Sequence, residues 1–124
     1  MVRPRPIGLL ALLVVLILTA CSESAESPLS TQEQDGQRLF LQHCASCHAT
    51  AGETVIVGPS LAGVSSRAES RVADMDARAY LEQSILQPSA YLNPGYNDLM
   101  PRTFGQMLTS EDLDALISYL FTLK

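Results

Sequence analysis

Apolar positions recur with helical spacing in three windows of this chain, and no window has the alternation of a half-buried strand. In the first, Gly36, Leu39 and Phe40 share a face. Ser30-Thr31-Gln32-Glu33 stands before them with the form of a capping box, which predicts a helix starting at about Ser30 and running directly into Cys44. In the last window Leu113, Leu116, Ile117, Leu120 and Phe121 fall at i, i+3, i+4, i+7 and i+8. Thr109-Ser110-Glu111-Asp112 caps that stripe with acids suited to the positive end of a helix dipole. A middle helix is expected from near Asp76 to just before Pro88, with Ala79, Leu81, Ile85 and Leu86 turned inward. Thr54-Val55-Ile56-Val57 is apolar but short and reads as a loop. The expected class is all-α, with about three main helices and long connecting loops.

The N-terminus follows another pattern. From Ile7 to Leu18 only Gly8 is not hydrophobic; Arg3 and Arg5 precede the run, and the small residues Thr19 and Ala20 follow it. A basic start, a short apolar stretch and a small-residue site describe a secretory signal over residues 1–20. The run is shorter than the ~20 apolar residues of a membrane span. Leu18-Thr19-Ala20-Cys21 resembles a bacterial lipobox, which implies that Cys21 is acylated, becomes the first residue of the mature chain and anchors it in a lipid bilayer. An ordinary secreted chain or an uncleaved short anchor are the alternatives. Ser22 to Ser30 is polar, acidic and aperiodic, nine residues that reach at most ~30 Å, so 21–30 is expected to be a flexible tether, with one domain over 31–124.

Composition narrows the partners. The chain has 124 residues with 8 basic and 13 acidic side chains, a net charge of −5. Removing residues 1–20 takes away Arg3 and Arg5 and no acid, leaving −7. Nucleic acid is excluded as an expected partner, because binding it depends on neutralising phosphates with Lys and Arg. The mature chain is small enough that a cofactor would help to fill its core.

The strongest chemical signal is Cys44-Ala45-Ser46-Cys47-His48. C-x-x-C-H is the attachment spacing of c-type haem: two thiols add across the vinyl groups, and the next residue, His48, is directed at the iron as proximal ligand. Three other readings stay open at this point. The cysteines could be a redox dithiol, although no βαβ pattern surrounds them, or a structural disulfide, which leaves His48 unexplained. They could be half of a zinc site, although Cys21 is the one cysteine besides them and His43 the one other histidine. His43 is read as a surface residue at the helix end.

With this motif in that order of helices, residues 31–124 resemble the class I monohaem cytochromes c. The stretch from Tyr80 through Met100-Pro101 to the last helix is similar to cytochrome c domains of terminal oxidases and nitric oxide reductases. The resemblance implies a single covalent haem c and one-electron transfer rather than enzyme activity. Gly36 would let the first helix cross the last beside Phe40 and Tyr119. The carbonyl of Pro59, in Gly58-Pro59-Ser60-Leu61, would accept a hydrogen bond from His48. Among Met75, Met100 and Met107, it points to Met100 as distal ligand, on a loop shaped by Pro94, Gly95 and Pro101. Met75 sits in a polar connector, and Met107 is expected to pack. The 54–57 loop is expected to face the haem, and Tyr91, Tyr96 and Arg102 are candidate neighbours of its edge or propionates. The chain departs from the lysine-ringed docking scheme, since Lys124 is its single lysine. Docking then falls to apolar contacts, to arginines such as Arg67, Arg71 and Arg102, or to the acidic face; Glu111, Asp112 and Asp114 are read as solvated helix surface. The expected partners are membrane-associated respiratory redox proteins on the extracytoplasmic side of a bacterial membrane. A haem sensor or small-molecule enzyme with a displaceable Met100, and a fixed cytochrome subunit, are the competing readings.

Overall fold

The computed structural model describes residues 27–124, so the apolar run and Cys21 lie outside the described residues. Among the described residues five α-helices follow in order: α1 Thr31–His43, α2 Val64–Arg67, α3 Ala77–Leu86, α4 Phe104–Met107 and α5 Ser110–Leu120. A 3-10 turn at Ala68–Ser70 extends α2. Among the described residues there is no strand, only an isolated antiparallel bridge between His48 and Val55. The class is all-α, and α1, α3 and α5 are the three main helices. None of the described helices is long and apolar enough to cross a membrane.

The predicted capping box at Ser30 and the predicted cap at Thr109 are both formed, the second also as a capping box. Ser30 Oγ accepts from the Glu33 amide at 3.3 Å, and the Glu33 carboxylate accepts from the Ser30 amide at 2.6 Å. At α5 the Thr109 amide donates to Asp112 at 3.0 Å, and the Asp112 amide donates to Thr109 Oγ1 at 3.1 Å. These exchanges satisfy donors that a helix start leaves without intrahelical partners.

The two capped helices pack directly on each other. A Cβ at Gly36 would lie 1.9 Å from the Ala115 carbonyl oxygen and 2.8 Å from Tyr119 Cβ, so only glycine lets the backbones come this close. Beside the crossing the Phe40 and Tyr119 rings meet at 5.6 Å with a 53° tilt. The buried arc of α5 is wider than its apolar stripe: Ala115 and Tyr119 meet α1, while Leu116 and Leu120 turn toward the cleft described below. Phe121, predicted on the stripe, follows the last helical residue at the arc's edge and is 36 % exposed.

Asp76 caps α3, accepting from the Ala79 amide at 2.8 Å, and the helix ends at Leu86 ahead of Pro88. Tyr80, Leu81 and Ile85 are its buried residues. Ala79 is exposed, contrary to expectation. At 100° per residue it lies about 200° round the helix from Leu81, on the opposite face. The short helices were not legible in the sequence; α2 and the turn after it bury Val64 and Ala68, and α4 buries Phe104. Ser65 Oγ donates to the Leu123 carbonyl at 2.8 Å, fastening the C-terminus to α2.

Candidate functional site

Where α1 stops, the chain turns the motif inward. The Cys44 amide closes the helix onto the Phe40 carbonyl at 2.8 Å, and the amides of Cys47 and His48 both donate to the Cys44 carbonyl at 3.0 Å. The following loop is stitched back onto this turn: the Val57 and Gly58 amides donate to the Cys47 carbonyl at 3.2 and 3.0 Å. That stitching brings Pro59 under the imidazole, where His48 Nδ1 lies 2.8 Å from the Pro59 carbonyl oxygen. With Nδ1 as donor, Nε2 is left with its lone pair available. Gly58 supports the same contact, since a Cβ there would stand 2.4 Å from His48 Cε1.

Cys44, Cys47, His48 and Met100 all line one cleft with a cavity of about 220 Å³. Leu81 and Ile85 of α3, Phe104 of α4, and Leu116 and Leu120 of α5 form its apolar walls. Met100 is partly buried against the core, beside Leu39, Leu108 and Leu116. Tyr91 and Tyr96 line the cleft, and Tyr91 meets the Tyr80 ring edge-on at 6.0 Å.

Several smaller expectations are corrected here. Met107 is 52 % exposed and does not pack, because the short α4 turns it outward; Thr103 Oγ1 lies 3.5 Å from its sulfur. Met75, expected in a polar connector, packs partly buried against the core. Of the 54–57 loop only Val57 lines the cleft, and Val55, Ile56 and Val57 are each about half exposed because backbone stitching holds the segment at the rim. His43 is half-buried on the cleft wall, because it stands three residues after the buried Phe40 on the same face of α1. Arg102 does not line the cleft; its guanidinium is engaged by Asp98 and Ser89. Arg67 is also taken up, donating to the carbonyls of Ala62 and, at 3.0 Å, Ser60.

A second, more polar cavity lies beyond Pro59, lined by Arg67, Arg71, Tyr80, Asn93 and Tyr96. Asn93 Nδ2 donates to the Tyr80 hydroxyl at 3.3 Å. Sequence reasoning missed Tyr80 and Asn93, and placed the arginines on a docking surface. The turn signal of Asn93-Pro94-Gly95 was the one hint available.

The donor set decides which chemistry fits. Cys44 and Cys47 are free thiols. Burial pushes the Cys44 thiol up to about 11, with the neighbouring Cys47 adding to the rise. Thiol–disulfide exchange needs a thiolate, so a cysteine raised in this way is poorly suited to a redox dithiol. Among the described residues no three His, Cys, Asp or Glu side chains come together as a metal cluster. Two thiols at the end of a helix, an imidazole oriented through Nδ1, an apolar cleft and a thioether on the same cleft suit a flat apolar group attached through sulfur.

The comparisons agree with that chemistry. A protein-family model described as "Cytochrome c" matches residues 33–124. Cytochrome c oxidase subunit 2 of Alkalihalophilus pseudofirmus is 28 % identical over 110 residues, covering 83 % of this chain and 29 % of that protein. The chain thus corresponds to less than a third of that relative's length.

Proposed function

The chain belongs to the cytochrome c family, and with haem-based electron transfer as the premise we propose that it is a membrane-tethered carrier with a single haem c held by His48 and Met100. The observation that carries this reading is the hydrogen bond from His48 Nδ1 to Pro59 on a cleft that also receives Met100. Bound haem supplies a ferric/ferrous one-electron couple. Cys44 and Cys47 would fasten it as thioethers, close to the His48 imidazole. The Pro59 carbonyl fixes the ring's orientation and raises the basicity of Nε2. The Met100 sulfur is a soft donor that, paired with an imidazole ligand, would favour the reduced state. Leu81, Ile85, Phe104 and Leu116 keep water out of the cleft. If His48 and Met100 both held the iron, the chain would leave no position for a substrate, which favours a carrier over an enzyme or sensor. Arg67, Arg71, Tyr80 and Asn93 offer donors suited to propionate carboxylates.

The remaining parts of the reading rest on sequence. Acylated Cys21 would hold the domain at the extracytoplasmic face of a bacterial membrane by a tether over 21–30, raising its effective concentration near membrane-bound redox partners. The relative's description as an oxidase subunit supports a respiratory partner. It also favours a second reading, a fixed subunit of such a complex, which stable co-purification would identify.

The test is the ferrous spectrum of haem-loaded protein before and after carbon monoxide, beside Met100→Ala. Wild type is expected to keep a six-coordinate low-spin spectrum while the variant binds carbon monoxide at once. Equal, rapid binding by both would overturn His48/Met100 ligation and move sensing or catalysis ahead.

A further inference from the structure

The loop that carries Met100 is joined to the segment just after α3 by a closed triangle of side chains. Arg102 Nε donates to Ser89 Oγ at 2.8 Å, Ser89 Oγ donates to Asp98 Oδ1 at 3.1 Å, and the Arg102 guanidinium also pairs with Asp98. Each of the three therefore bonds both others. Asp98 and Arg102 flank Met100 by two residues on either side, and Ser89 follows Pro88, a buried residue on the cleft wall. The loop's own backbone bonds are local, from the Tyr96 amide to the Asn93 carbonyl and from the Leu99 amide to the Asn97 carbonyl. Among the described residues, the hydrogen bonds that tie residues 97–103 to the α3 side are those of the triangle. None of its members lines the cleft except Asp98, so its effect on the site passes through the loop.

We infer that Asp98, Ser89 and Arg102 form a positioning clamp that keeps Met100 seated in the cleft and thereby sets how readily an outside ligand replaces it. This rests on the reading of Met100 as the distal ligand. The physics is a population shift: a ligand that binds only when Met100 has swung away has an affinity scaled by the fraction of loops that are open. Arg102 is 67 % exposed at its side chain, so one arm of the triangle alone would be weak. Three charge-assisted bonds acting on one short loop support an opening equilibrium shifted about 3- to 10-fold.

Imidazole titration of the ferric, haem-loaded protein tests this, read from the visible spectrum. Arg102→Ala and Asp98→Asn are each expected to bind imidazole about 3- to 10-fold more tightly than wild type, with Arg102→Lys recovering part of the difference. Arg38→Ala, which removes an exposed pair with Asp35 on α1, is expected to leave the affinity unchanged. In a Met100→Ala background, where there is no thioether to displace, adding Arg102→Ala should have no effect. An equal effect in both backgrounds, or no effect of either clamp variant in a wild type that resists imidazole, would overturn the clamp and leave Met100 ligation standing. A wild type that binds imidazole as tightly as Met100→Ala would instead remove the ligation itself, and the clamp with it.

Discussion

At the scale of single residues, two glycines are held by what lies against them. A methyl group added at Gly58 would press on the His48 ring that the Pro59 carbonyl holds through Nδ1. Gly58→Ala is therefore expected to disturb the haem spectrum while helicity by circular dichroism stays near wild type. Gly105→Ala serves as the control, since its nearest neighbour, Leu86 Cδ2, is at an ordinary 3.7 Å. Gly36→Ala acts elsewhere: its Cβ meets the Ala115 backbone, which cannot rotate aside. Separating α1 from α5 should cost about 2–4 kcal/mol in chemical denaturation, in the range of severe core overpacking. A loss under ~0.5 kcal/mol would mean that the crossing is looser than described.

At the scale of elements, α5 is the central support, and Ile117, 0 % exposed, is its most enclosed side chain. Ile117→Ala is expected to lower unfolding free energy by about 2–5 kcal/mol. The caps give a pH signature. Hydrogen bonds from the Ser30 backbone and then its hydroxyl hold the Glu33 carboxyl below its ordinary range, and those of Thr109 do the same for Asp112. A carboxyl depressed in the folded state contributes above its unfolded pKa, and that contribution is lost as pH falls through the folded value. Glu33→Gln and Asp112→Asn should therefore flatten the acid side of the stability profile, below the usual carboxylate range, and leave its slope near neutrality unchanged. These elements were legible because caps and stripes are local: Ser30 with Glu33, Thr109 with Asp112, Leu116 with Leu120. The motif at Cys44–His48 was legible for the same reason. Ala79 and Phe121 were misplaced because an apolar residue next to a buried face need not belong to it. Helices α2 and α4 span one turn each, too short for a period, and Tyr80 with Asn93 joined the site only through tertiary folding.

At the scale of the molecule, charge is distributed so as to leave little free positive surface. Arg38, Arg78 and Arg102 each pair with an aspartate, and Arg67 faces carbonyls; Arg71 and Lys124 have no ion pair among the described residues. Electron transfer to a partner with a basic docking face is expected to slow as salt rises, and transfer to an acidic one to quicken, in stopped-flow traces at increasing ionic strength. Opposite slopes would require a positive face that these pairings do not provide. The meeting of α1 with α5 also governs the order in which the molecule can be completed. Phe40 cannot gain its lasting cover until Tyr119 has been made, and at ordinary rates of synthesis the residues from 44 to 119 take roughly 4–15 s. For all that time Cys44, Cys47 and His48 have left the ribosome's active centre while the helix that will close over them does not yet exist. Joining first helix to last thus leaves the Cys44–His48 turn without its closing helix until the last stretch of the chain is in place.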